Sequence, residues 1–163
     1  MIILLLFAIV GIFIIGCLVH TRKQDRLDEQ TDVFTRVKES ARRVVNSVPD
    51  GDHGFALLRQ RFNVQNMHVG TSTFTTGKKD MTVCVRDMRT NTLYDEQLLL
   101  FPVLHEMAHM CVQDMTNNHG LEFQLYFKRL LDIATSIGVY SPHNFAKDPE
   151  PYCGMVISTM PMD

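Results

Sequence analysis

The sequence lacks an excess of charge of either sign. Sixteen Lys and Arg stand against eighteen Asp and Glu, a net charge of −2. No basic field is present to hold a phosphate backbone, so nucleic acid is not expected as a direct partner. The four cysteines, Cys17, Cys84, Cys111 and Cys153, show no CxxC spacing. They read as buried thiols in a reducing compartment, with a Cys84–Cys153 bridge as the one pairing left open. No internal repeat and no low-complexity stretch occurs. A cleaved signal peptide is disfavoured too, because no basic residue and no small-residue cleavage site accompany the apolar start.

That start is the chain's main compositional anomaly. Ile2 to Val19 carries no charge. At 1.5 Å per residue it reaches about 27 Å, the depth of a bilayer core. Arg22, Lys23 and Arg26 all follow it. The positive-inside rule then predicts an uncleaved single-pass anchor that contacts membrane lipid through residues 2–19, with the rest of the chain on the cytosolic side. The expected organisation is an anchor over 1–19, a polar juxtamembrane linker over 20–31, and one domain over 32–163.

Within the domain, Val33, Phe34, Val37, Ala41, Val44, Val45 and Val48 recur at helical spacing, and Pro49-Asp-Gly51 stops the helix. A short helix is expected over 55–62. Thr71–Thr76 and Met81–Arg86 flank the turn Gly77-Lys-Lys-Asp80, which predicts a β-hairpin. Asp95 and Glu96 start a second long helix, apolar on most sides and therefore central, with Pro102 inside it. A third runs from about Gly120 to Ile137. Tyr152–Ser158 reads as one last short strand. The fold class is α+β: a small, mainly antiparallel sheet packed on two helices, preceded by a transmembrane helix.

The central helix carries His105-Glu-Met-Ala-His109. Residues four apart on a helix share a face, so His105 and His109 can bind one zinc ion, while Glu106 stands one step round the axis. In this HExxH pattern the glutamate is the general base of a metalloprotease. His119, ten residues on and at the opening of the next helix, is the favoured third ligand. Asp114 lies about 140° round the helix from His109 and points away. Glu122 remains a possible carboxylate ligand or support. His20, His53, His68 and His143 have no partner spacing. Tyr126, Tyr140 and Tyr152 are open candidates for stabilising an oxyanion.

The runs Met81 to Thr90, Leu104-His-Glu-Met-Ala-His109 and His119-Gly-Leu-Glu-Phe123, followed by Tyr152-Cys-Gly154, resemble the WLM and SprT-like zincin metallopeptidases. They resemble most the membrane-anchored versions encoded by large DNA viruses. The resemblance spans roughly residues 55–158. It implies a minimal zincin-like fold, zinc bound by His105, His109 and His119, Glu106 as catalytic base, and a protein or peptide substrate laid along an edge strand, either Thr71–Thr76 or Met81–Arg86. A second reading makes the chain a structural component of a virus particle, with virion or capsid proteins as partners and the zincin fold as scaffold.

Overall fold

The computed structural model describes residues 2–113 and 119–161, with the backbone alone for 2–10 and Ile12. It is an α+β chain of four α-helices and two small sheets, divided into two units, residues 1–33 and 34–163.

The first unit is the leading part of helix α1 (Ile2–Ser47). The expected transmembrane helix is not found: among the described residues no helix is long and apolar enough to cross a membrane. The side chains of residues 2–10 and Ile12, on which that expectation leaned, lie outside the described ones. In the described part, Phe13 to Val19 runs straight on into Arg22, Lys23, Asp25, Arg26, Asp28 and Glu29 in the same helix. The described apolar part, Phe13 to Val19, is seven residues, too short to cross a bilayer. The single-pass placement falls with the transmembrane helix. The stretch 20–31, expected as a linker, is helical.

The second unit contains the rest. Val37, Ala41, Val44, Val45 and Val48 are buried, so the helical spacing read from the sequence does mark the core face of α1. Helix α2 (His53–Arg61) begins at Asp52, whose carboxylate accepts from the Phe55 N–H at 3.1 Å. Its second residue must be glycine, because a Cβ on Gly54 would sit 2.2 Å from the Tyr126 ring. A 3₁₀ turn, Val64–Asn66, leads into β1 (Met67–Gly70).

The expected hairpin is present as β2 (Phe74–Thr76) and β3 (Asp80–Cys84), antiparallel with Phe74 opposite Thr82. The sheet is mixed rather than mainly antiparallel. Its order is β1-β3-β2, and β1 runs parallel to β3 with Met67 opposite Met81. β3 is therefore central, and among the described residues β2 keeps one unpaired edge.

Helix α3 (Glu96–Cys111) is capped by Asp95, which accepts from the N–H groups of Gln97 and Leu98. It is buried on most sides, from Leu99 to Cys111, with Pro102 inside it. Glu96 is held to α1 by Arg36 at 3.1 Å and Ser40 at 2.9 Å. Helix α4 (Leu121–Ser136) packs on α3 through Phe123, Phe127 and Leu130. The chain closes with a two-stranded hairpin, β4 (Glu150–Tyr152) and β5 (Met155–Ile157), where one strand was expected.

Cys84 and Cys153 are joined in a disulfide, which corrects the reading of all four cysteines as thiols. The end of β3 and the turn after β4 bring their Cα atoms to 6.3 Å. Cys111 is the buried free thiol expected, and burial pushes it up to about 12, which makes it inert. Cys17 is free and exposed.

Candidate metal centre

One turn of α3 separates His105 from His109, and both rings leave the same face of the helix. His119, just before α4, meets them from the other side. Its Nε2 lies 3.1 Å from His105 Nε2 and 3.1 Å from His109 Nε2. Three nitrogens on one tetrahedral zinc, each about 2.0–2.1 Å from the metal, stand about 3.3 Å apart. The two His119 spacings fit that arrangement, and the ligand atoms of all three rings lie within 4.8 Å of one another. A proton can satisfy one of the two contacts at His119, because each Nε2 carries either a hydrogen or a lone pair. A cation accommodates all three lone pairs at once.

The protonation of the rings also suits ligation. Burial, then the neighbouring histidines, lowers His105 to about 3. Burial, His119 and the Lys78 ammonium lower His109 to about 4. Both are neutral at pH 7, the form that binds metal. The rings surround Phe123, whose centroid is 4.8, 4.4 and 4.7 Å from those of His105, His109 and His119. Among the described residues His109 Nδ1 is buried with no hydrogen-bond partner, and the Phe123 ring packs against it.

Glu106 is buried beside this cluster. Desolvation pushes its carboxyl up to about 7, against the downward pull of the Thr75 hydroxyl and amide. Thr75 belongs to β2, so the edge strand and the glutamate are neighbours. A cation at the three histidines would counter desolvation and favour the ionised carboxylate.

The other candidates resolve differently. Glu122 is exposed and outside the histidine cluster. Asp114, together with the turn expected at Asn117-Asn118, lies outside the described residues. Tyr126 donates to Asp52 at 2.9 Å, away from the histidines, and among the described residues the buried Tyr140 hydroxyl has no partner. Tyr152 does line the cleft with His105 and Glu106. Its proton, however, goes to the Cys84 carbonyl at 2.8 Å, while the Thr73 hydroxyl bonds its oxygen at 2.5 Å. Tyr126 and Tyr152 thus have their hydroxyl protons engaged elsewhere, and Tyr140 is not among the residues that line the cleft. His20 and His68 are exposed, and His53 faces Gln113 at 3.1 Å. His143 lies near Asp148 and Glu150, but its Nε2 already stands 2.7 Å from the Asp148 carbonyl.

Two residues around the centre carried no signal in the sequence. Lys78, read as a turn residue, is buried with its ammonium 2.9 Å from the His109 carbonyl and 3.0 Å from that of Val112. Arg61 donates to the Met110 and Val112 carbonyls at 2.7 and 2.8 Å. Both cations sit at the negative end of α3, where helix carbonyls lack partners.

No family model matches the chain, and no solved structure matches it. Similar proteins are viral and uncharacterized. The chain is 35% identical over 95 residues to an uncharacterized protein of Invertebrate iridescent virus 3, covering 58% of this chain and 57% of that one. It is 31% identical over 87 residues to one of Acanthamoeba polyphaga mimivirus, covering 53% of this chain and 43% of the other. It is 38% identical over 73 residues to one of Invertebrate iridescent virus 6, covering 44% and 40%. The matched stretches thus span about half of those relatives or less.

Proposed function

We propose that the chain is a virus-encoded zinc-dependent endopeptidase of the WLM and SprT-like kind that its motifs resemble. The observation that carries this reading is the meeting of three imidazoles with a buried glutamate one helix step away. A zinc ion held by His105, His109 and His119 supplies a Lewis acid for a water and for a peptide carbonyl. Glu106 is the base: it takes a proton from the attacking water and passes it to the leaving amine. β2 aligns the substrate. Its unpaired edge offers backbone N–H and C=O groups to an extended peptide, and Thr75 on that strand faces Glu106. β3, the other strand considered, is paired on both sides and is unsuited to the task.

A purely structural zinc site is closed by four protein ligands. Among the described residues three histidines converge and no fourth ligand joins them. That favours an enzyme over a scaffold of the virus particle, and the buried Glu106 has no part to play in a scaffold. The test pairs metal analysis with cleavage of a denatured protein substrate by the full chain. One zinc per chain is expected. Glu106→Gln should keep the zinc and lose about 10²–10⁴-fold in cleavage rate. Equal cleavage by that variant, or no bound metal in the parent chain, overturns the proposal.

A further inference from the structure

Beside His105 and Glu106 lies a pocket of about 270 Å³. Phe101 and Pro102 of α3 line one side, and Ser72 and Thr73, just ahead of β2, another. The facing wall is the β4–β5 hairpin, with Met155, Val156 and Ile157. Apart from the two site residues, nothing in the lining is charged at neutral pH. An apolar cavity of about 150 Å³ holds a benzene ring, and whole drug-sized ligands need about 300 Å³ or more. This pocket therefore suits one large side chain and the backbone that carries it.

The wall is held in place by more than its own two short strands. Cys153 is bonded to Cys84 at the end of the central strand, and its N–H donates to the Tyr94 hydroxyl at 2.7 Å. Tyr152 is fixed by the Cys84 carbonyl and Thr73. The hairpin is anchored, yet Met155 and Val156 are 65% and 60% exposed. These two apolar side chains are not used in the protein's own core and stand at the rim of the cleft that contains the proposed base.

We propose that the disulfide-held β4–β5 hairpin is the specificity wall of the site, and that the pocket takes a large aliphatic or aromatic side chain next to the bond to be cut. An acidic side chain is disfavoured there, since the largely apolar lining would strip its water and offers no Lys or Arg to pair with. This inference rests on the peptidase reading and deepens it.

The test uses the full chain loaded with zinc and two capped peptides that differ at one position, Ala-Ala-Leu-Ala-Ala and Ala-Ala-Asp-Ala-Ala. The leucine peptide should be cut at least about tenfold faster, the scale of discrimination an apolar pocket supplies. Val156→Arg changes an exposed residue, so fold and zinc content should be retained, while the leucine preference falls at least fivefold as the acidic peptide gains a partner. Cleavage of both peptides at equal rates overturns the specificity wall and leaves the peptidase reading standing. Cleavage of neither counts against the peptidase reading. The pocket is then judged by binding of the same two peptides, fluorescently labelled, to the zinc-loaded chain. Preferential binding of the leucine peptide, lost in Val156→Arg, supports the wall; equal or no binding overturns it.

Discussion

Lys78 shows how much one side chain can contribute outside the ligand set. Its ammonium is buried and bonds two carbonyls at the end of the helix that bears His105 and His109. A hydrogen bond from a charged donor contributes about 1.5–3 kcal/mol, and its loss leaves buried acceptors unmet. Lys78→Met should therefore destabilise the fold by about 2 kcal/mol, read as a lower urea midpoint, and should weaken zinc binding measured by chelator competition. Lys79→Met, at the exposed neighbour, should change neither by more than about 0.5 kcal/mol. Equal effects of the two substitutions would remove the capping role. Gly54 is constrained by space rather than charge. Any Cβ there meets Tyr126, whose hydroxyl also accepts from the Gly54 N–H at 3.2 Å. Gly54→Ala should cost about 1–3 kcal/mol as overpacking, visible in the same urea titration.

Among the elements, α3 was the most legible from sequence. Its caps, its apolar surround and its i, i+4 histidines are all local patterns, and local patterns survive folding. The hairpin β2–β3 was legible for the same reason. β1 was not: it is four residues long, its Met67 is buried while His68 and Val69 are exposed, and its partner β3 lies beyond β2 in the sequence. The final strand was read as one rather than two because the turn between them uses Cys153 at φ 50° before Gly154. A non-glycine residue in that region gives no turn signal. The apolar start reads as a bilayer-length run by composition, whereas among the described residues no helix is long and apolar enough to cross a membrane. The disulfide, unpredictable from spacing alone, joins residues 69 apart in sequence. In the chain-entropy account, closing so long a loop contributes about 4 kcal/mol. Reducing it, or substituting both cysteines by serine, should lower the melting temperature clearly, and should disturb the β4–β5 wall more than the histidine cluster. The check is hydrogen exchange: protection should fall first at residues 150–157. Loss confined to α3 and α4 instead would show that the bond supports the metal centre rather than the wall.

For the folded unit as a whole, pH separates two sources of stability. Asp52 caps α2 and ties it to α4 through Arg129 at 2.6 Å and Tyr126 at 2.9 Å. Burial alone would raise its carboxyl, but the Arg129, Phe55 and Tyr126 hydrogen bonds prevail and bring it from 3.8 to about 2. A carboxyl depressed on folding stabilises the native state above its unfolded value. That contribution, about 2 kcal/mol, is lost as the pH falls from about 4 through about 2. The histidines act at higher pH. His105 and His109 are lowered from 6.5 to about 3 and about 4, so below 6.5 the unfolded chain binds protons that the native chain refuses. Their contribution is complete above 6.5 and declines toward pH 4. Glu106 opposes them. Raised from 4.5 to about 7, it binds its proton in the native state first, and so favours folding as the pH falls from 7 toward 4.5. In the metal-free chain, Glu106→Gln should remove that compensation and steepen the loss of stability between pH 6.5 and 4.5. Asp52→Asn should lower stability at pH 7 and flatten the curve between pH 4 and 2. Urea midpoints measured across pH 2–8 distinguish the two regions. Zinc binds the native neutral histidines and stabilises by mass action, so added metal should raise the midpoint at pH 7 and lose that effect as the imidazoles take up protons. A zinc-induced shift that persists undiminished at pH 2, below the native values of about 3 and about 4, would mean that the metal is held by groups other than these rings.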